Sequence, residues 1–421
     1  MPNLLFPISA TATAELHAVA ARLADEVDEQ ARPLPALAAE LSAREHLPVR
    51  AVVVAEDHGQ LAARLRSVAE DQPGTGAAVG AVGPSTAPVW VFSGHGSQWA
   101  GMGAALLASE PVFADQIDLL EPLVAAEAGF SLREVLSGPA AVTDVAQVQP
   151  TLFAMQVALA ATWRAYGPEP AAVIGHSMGE IAAAVAVGAL SHADGARAIC
   201  RRSALMRRIA GAGAMAMVAL SEQEVRADLA EHGHGGVSIA ALSGPTSTVI
   251  AGEPGQVSAL VAAWEARELM ARTVKVEVAS HSPQVEPILP ELAAALATLR
   301  PARPRVRFYS TVLDDPRAQP ALDAGYWTSN LRRPVRFASA VNAALADGHR
   351  LFVEVSPHPL LTHALRENAE HAGLSATVLS TVRRGGDAAL RFRTQLGALH
   401  CAGAPLNWPL VQGTAVAGAP R

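Results

Sequence analysis

The sequence predicts an α/β protein: a core of parallel strands, a smaller inserted subdomain, and a small α/β unit ahead of both. Three observations carry this prediction. Residues 171–180 read AAVIGHSMGE, an apolar strand turning sharply into a helix of small residues. From about 214 to 278 the elements run β-α-β-β-α-β, the order of a ferredoxin-like split βαβ unit. A Gly/Pro/Ser/Thr-rich stretch, 72–88, sets a first α/β segment apart and reads as a linker.

The elements follow in order. LLFPISA from Leu4 reads as a strand, two helical stretches follow, PVRAVVVAED reads as a strand and GQLAARLRSVAED as a helix. This first unit, 1 to about 71, holds no cluster of catalytic residue types; with the linker it gives a domain 1–88. A larger unit, 89–386, opens with the strand VWVFSG. Within it the insert takes AMAMVAL, VSIAALSG, STVIAGE and RTVKVEV as strands, and SEQEVRADLAEH and PGQVSALVAAWEAR as helices. The unit resumes with PRVRFYST, a helix near 334–347, the strand RLFVEVS and a helix from Leu360. The tail, 387–421, reads as one helix, then APLNWPLV and a loose end.

At 421 residues the chain is too long for one compact domain. Half of it is hydrophobic, enough for a sizeable core. A net charge of −7 argues against a nucleic-acid binder. No apolar run reaches membrane-spanning length, and Met-Pro-Asn is not a signal-peptide start. Cys200 and Cys401 match no metal motif and read as reduced thiols of a cytoplasmic protein. There is no metal-ligand cluster, Walker loop or dinucleotide fingerprint; His232 and His234 read as loop residues.

The elbow carries the chemistry. In G-x-S-x-G, a strand-to-helix turn pushes the Ser177 hydroxyl out of a hydrolase-like sheet. Side chains at Gly175 and Gly179 would clash across the turn. The helix N-terminus behind the serine offers free N–H groups to an oxyanion. A second loop, Ser93-Gly94-His95-Gly96-Ser97-Gln98, follows the strand VWVFSG and supplies a further donor. The expected pair is the backbone N–H of His95 and that of Met178. Arg202 is the most telling charge. Ser191 to Asp194 form a capping box that opens its helix. There Arg202 falls in the arc of Ala198, Ile199, Leu205, Met206 and Ile209, while Arg197, Arg201 and Arg208 cluster opposite. A buried guanidinium needs an anion. An internal Asp or Glu is one possibility; a substrate carboxylate, gripped bidentately, is favoured. A serine nucleophile also needs a base. His281, in Ala279-Ser280-His281-Ser282, and His358, in VEVSPHPLL, both stand out, and spacing leaves both open.

Taken in order, VFSGHGSQWAGMG, VQPTLFAMQVALA, GHSMGE, RRSALM, ASHS, SNLRRPVRF and VEVSPHPLL resemble the motifs of malonyl-CoA-type acyltransferases, and specifically the acyltransferase domain of modular type I polyketide synthases. The resemblance covers about 89–385. Residues 1–88 look like the linker domain from a ketosynthase to its acyltransferase, and the tail looks like the post-acyltransferase linker. The resemblance implies Ser177 as nucleophile, His281 as base and Arg202 as carboxylate anchor. It implies a backbone carbonyl at Asn330 holding the histidine ring, Gln149 lining the pocket, and a structural role for His358. His95 stands where the family usually has Gln, and Met178 is also unusual.

The implied reaction is ping-pong. An acyl-CoA donates to Ser177, and the phosphopantetheine thiol of an acyl carrier protein takes the acyl group; no bound cofactor is needed. A ketosynthase and other megasynthase domains are the implied neighbours. Ser280, where a Phe accompanies malonyl, implies methylmalonyl as the extender unit; Val278 in place of Tyr leaves room for more. Arg332, Arg333 and Arg336 offer themselves as a docking patch for the carrier protein. Two other readings compete. An α/β-hydrolase such as a thioesterase would follow its serine with Asp or Glu and then His, without a buried arginine. A docking scaffold would not keep Ser177, Arg202 and His281 together.

Overall fold

The computed structural model describes residues 3–30, 32–231, 235–274 and 276–414. His232 and His234 lie outside them, so their reading as loop residues stays a sequence expectation.

The first unit runs β1 (Leu4–Ala10), α1 (Thr13–Glu29), α2 (Leu34–Ala43), β2 (Val49–Ala55), α3 (His58–Ala69) and β3 (Ala77–Ala81). The sheet is antiparallel, in the order β1-β2-β3. One face packs Phe6, Ile8 and Val53 against the three helices. The other turns Leu5, Val52, Val54 and Ala78 into the main core. β3 lies inside the stretch that composition reads as a linker. Its residues, Ala-Ala-Val-Gly-Ala, carry no strand pattern of their own; the exposed edge of β2 supplies the partner that makes them a strand.

The main unit continues with β4 (Val89–Phe92), α4 (Ala104–Ser109), α5 (Pro111–Ala128), α6 (Leu132–Ser137), α7 (Val145–Tyr166), β5 (Ala172–Gly175), α8 (Gly179–Ala186) and α9 (His192–Arg207). The insert is β6 (Ala214–Val218), α10 (Glu222–Glu231), β7 (Val237–Gly244), β8 (Ser247–Gly252), α11 (Pro254–Ala266) and β9 (Ala271–Val274). After a 3₁₀ turn, Pro283–Ile288, come α12 (Leu289–Ala295), β10 (Arg307–Tyr309), α13 (Ala324–Arg332), α14 (Phe337–Ala346), β11 (Leu351–Glu354), α15 (Thr362–His371) and β12 (Thr377–Ser380). The tail is α16 (Ala388–Cys401) and α17 (Trp408–Val411).

The core sheet is parallel throughout, in the order β10-β5-β4-β11-β12. Its strands are short and apolar because both faces are covered. Val89, Val91, Ala172 and Ile174 face Phe337, Val341 and Leu365 of α14 and α15. Trp90, Phe92 and Val173 face the opposite layer, with Leu152, Ile181 and Phe392. Truncating one such buried aromatic to alanine costs ~3–5 kcal/mol.

The insert's sheet is antiparallel, in the order β7-β8-β6-β9, which is the ferredoxin-like order. One face is covered by α10 and α11 through Val225, Val257, Leu260 and Trp264. The other, with Met215, Ala251 and Val249, meets Ala279 at the return to the main unit. This face roofs the site described next. α16 lies across β2 and β3: a Cβ on Gly397 would meet Val52 at 2.8 Å, and one on Gly80 would meet Cys401 at 3.3 Å. No helix among the described residues is long and apolar enough to cross a membrane.

Candidate active site

β5 delivers the chain to the elbow, where Ser177 adopts φ of 56°. That left-handed conformation is rare outside glycine. The flanking glycines are needed for contact. A Cβ on Gly175 would sit 2.4 Å from the backbone of Glu180, and one on Gly179 would sit 2.3 Å from the Phe92 carbonyl oxygen at the end of β4. The turn therefore closes only with hydrogen at both positions.

His281 follows the insert and also has a left-handed φ, 61°. Its Nε2 lies 2.7 Å from the Ser177 hydroxyl. Its Nδ1 lies 2.9 Å from the carbonyl oxygen of Arg333. A carbonyl only accepts, so Nδ1 carries the proton and Nε2 accepts the serine O–H. Burial, then the positive charge of Arg202 and the neighbouring His176, hold the imidazole down at about 3. The ring is thus neutral and able to take a proton. The expected partner of the ring was the Asn330 carbonyl. The hydrogen bond goes instead to Arg333, with Asn330 contributing less. The chain leaves α13 between these two residues, and the ring meets the carbonyl beyond the helix end.

Arg202 lies on α9, which Ser191 caps by accepting from Asp194 N. It is 2 % exposed. On the opposite face Arg197, Arg201 and Arg208 pair with Asp194, Glu127 and Glu291. Among the described residues no carboxylate pairs with Arg202. Its Nη1 donates to Asn330 Oδ1 at 2.6 Å, its Nη2 lies 3.3 Å from Ser177 Oγ, and its Nε has no partner. Burial lowers its pKa to about 10, so it stays charged at neutral pH.

Ser177 and His281 open onto a cavity of about 200 Å³. Gln149, His95, Met178 and Ser280 line it, as do Val145, Met206 and Met215. Gln149 is buried, with Nε2 3.6 Å from Met206 Sδ and its oxygen unpartnered. Gln156 holds the loop before His95 by donating to the Ser93 carbonyl at 2.8 Å. Among the described residues no acceptor meets the backbone N–H of His95 or of Met178. Both are free to meet an oxyanion. His358 is elsewhere; its Nδ1 accepts from Arg384 N at 3.2 Å. Arg332 pairs with Glu286 at 2.8 Å and Arg336 with Asp314, which leaves Arg333 as the exposed one of the three, without an ion pair among the described residues.

The sequence reading passed over Glu180. It is wholly buried beside the nucleophile and accepts from Thr311 N, Tyr326 OH and Asn330 Nδ2. The signal was present: Glu180 is the one charge in the otherwise apolar helix GEIAAAVA.

A family model described as "Acyl transferase domain" matches residues 89–405, a span that takes in α16. A mycocerosic acid synthase-like polyketide synthase of Mycobacterium tuberculosis is 53% identical over 414 residues, 98% of this chain and 20% of that protein. A phthioceranic/hydroxyphthioceranic acid synthase of the same species is 50% identical over 410 residues, 97% of this chain and 19% of that protein. The chain thus spans about a fifth of these relatives' length. Among solved structures, the acyltransferase domain from module 8 of the salinomycin polyketide synthase superposes with a TM-score of 0.91 at 40% identity, covering 96% of this chain and 97% of that one.

Proposed function

This chain belongs to the acyl transferase domain family, an enzyme family, and on that premise we propose that it transfers an extender acyl unit, methylmalonyl foremost, from coenzyme A to an acyl carrier protein. One observation carries the reading: a buried arginine with no carboxylate partner among the described residues, its Nη2 3.3 Å from a serine hydroxyl that is hydrogen-bonded to a neutral histidine. An acyl group that ends in a carboxylate satisfies the arginine and places its thioester carbon at the serine.

His281 takes the proton as Ser177 Oγ attacks the thioester carbon. The oxyanion forms against the N–H groups of Met178 and His95. It collapses, the carbon–sulfur bond breaks, and His281 returns the proton to the departing thiolate. The acyl ester on Ser177 then meets the phosphopantetheine thiol of the carrier protein, and the same steps run in reverse. The Arg333 carbonyl keeps Nε2 aimed at the serine in both halves.

Ser280 at the cavity wall supports methylmalonyl over malonyl, because a phenyl ring there would fill the space of an α-methyl group. A malonyl-specific enzyme is the nearest alternative. The thioesterase reading loses support because His281 leans on a carbonyl rather than a carboxylate. The wider setting, a cytoplasmic megasynthase in which 1–88 follows a ketosynthase and 387–421 is the linker after the acyltransferase, belongs to the same proposal. The test is intact mass after incubation with equal methylmalonyl- and malonyl-CoA, then with carrier protein. A methylmalonyl adduct that passes to the carrier is expected. Preferential malonyl loading would overturn the extender assignment, and rapid release of free acid would overturn transfer.

A further inference from the structure

Glu180 takes no part in the steps above, yet it is 0 % exposed one turn from the nucleophile. A buried carboxylate is costly unless donors and a positive charge compensate it. Its Oε1 accepts from Thr311 N at 2.7 Å and lies 3.0 Å from Thr311 Oγ1. Its Oε2 accepts from Tyr326 OH at 2.8 Å and Asn330 Nδ2 at 2.9 Å. Asn330, 2 % exposed, also donates from Nδ2 to the Ser177 carbonyl at 3.1 Å. Its Oδ1 is then left to accept from Arg202 Nη1 at 2.6 Å.

The chemistry of these groups fixes the direction of the chain. Burial raises Glu180 to about 7, and in its ionised form above that the carboxylate only accepts, so the amide turns its NH₂ to Glu180 and its oxygen to the arginine. A neutral residue at 180 weakens that constraint and leaves the Ser177 carbonyl, 3.1 Å from Nδ2, as the one acceptor that still orients the amide. The amide could then rotate and set NH₂ against guanidinium, donor against donor. The negative charge of Glu180 also favours the protonated form of Arg202.

We infer that Glu180 is a positioning residue for substrate selection: through Asn330 it holds the Arg202 guanidinium with Nη1 engaged, and leaves Nε and Nη2 to grip the carboxylate of the acyl group. The inference rests on the proposal that Arg202 is the carboxylate anchor. It predicts that a residue that never touches substrate sets the preference for carboxylated over plain acyl donors.

The test compares acylation of the whole chain by methylmalonyl-CoA and by propionyl-CoA, which differ by the carboxylate. Glu180→Gln keeps the volume and removes the charge. Loss of a hydrogen bond to a charged group corresponds to about tenfold or more. KM for methylmalonyl-CoA should rise by about that factor while propionyl transfer moves less than about threefold. Asn330→Leu, which breaks the chain at its middle link, should lower the same ratio. Equal losses for both donors, or an unchanged ratio, would overturn the inference. So would failure of both variants to fold beside a folded Arg202→Ala, since that marks a purely structural role. Arg202→Ala separates the two proposals. If it leaves the donor ratio unchanged, the anchoring role itself fails. If it collapses the ratio and Glu180→Gln does not, only the role of Glu180 fails.

Discussion

Ser177 and His281 are two of the five non-glycine residues with positive φ among those described. Conformations of this kind cost of order 1–3 kcal/mol each, so packing around the site must hold them in place. Removal of the Ser177 hydroxyl should therefore abolish acyl-enzyme formation without unfolding the chain. Intact mass of Ser177→Ala after exposure to acyl-CoA checks this, and a persistent adduct would refute it. His281→Ala should slow both acylation and transfer by roughly 10²–10⁴-fold, as general bases do. The depressed pKa makes a further prediction. With the ring neutral above about 3, the acylation rate should show no acid limb near the ordinary histidine value of 6.5. Quenched-flow rates at saturating propionyl-CoA, a donor without the carboxylate that Glu180 and Arg202 serve, should be flat from about pH 5 to 8, and a limb near 6.5 would mean that the ring protonates in the resting enzyme. At this scale the sequence was informative where one charge broke an apolar pattern, as Arg202 does on α9. It was silent on the ring's partner, because a backbone carbonyl carries no signature in residue identity.

Between residue and molecule, the elbow works only because α8 approaches β4 within the radius of a methyl group. Gly179→Ala would drive a Cβ to 2.3 Å from the Phe92 oxygen. It should cost several kcal/mol by forced backbone movement, and lose activity with stability. Thermal melting beside acylation assays reads both. The insert contributes differently. Its helix-free face supplies Met215, Ala241, Val249 and Val274 to the wall of the same cavity that Ser280 lines. Ser280→Phe should narrow that space and move preference from methylmalonyl towards malonyl in a competition assay. One methyl is worth only ~1–3 kcal/mol of discrimination, so the wild-type enzyme should load some malonyl. The insert was legible because six elements in a known order leave few arrangements. β3 was not legible, because Ala-Ala-Val-Gly-Ala is a strand only by virtue of β2 beside it. Long-range pairing decides such segments, and local composition does not.

Across the whole molecule, buried titratable groups set the response to acid. Burial lowers His176 to about 4 and His400 to about 3, and His281 lies equally low. Between those values and 6.5 the unfolded chain binds protons that the folded chain refuses, so this contribution to stability is lost as pH falls. Glu180 and Glu354, raised to about 7 by burial, act in the other direction: the stability they bring is complete below 4.5 and fades as pH rises through 7. Below about 4.5 the histidines act together with carboxylates held below their usual range by hydrogen bonds and arginines, Glu40 and Asp347 among them, and the melting temperature should drop there. His400→Gln should soften that drop, and an unchanged acid profile would remove His400 from the account. His400 also belongs to the seam between the first unit and the tail. Its Nε2 lies 2.5 Å from His46 Nδ1, with the Trp408 ring against both.

That seam is tied by bonds of great length along the chain. Gln412 donates to the Leu5 carbonyl and accepts from the Leu5 amide across 407 residues, while Arg393 anchors the same tail to Glu110 of the main unit across 283. The sheet of β1, β2 and β3 therefore keeps one apolar face open until α16 has been made and has travelled back to cover it. During synthesis the earliest strands must wait, partly wet, while the catalytic unit forms between them and their cover. Contacts this distant slow folding and leave surface exposed to wrong partners in the meantime. The interval is a hazard of manufacture rather than of the finished enzyme, and chaperone demand should track it: release of the chain before α16 ought to leave a species that binds holdases through the bare face of β2.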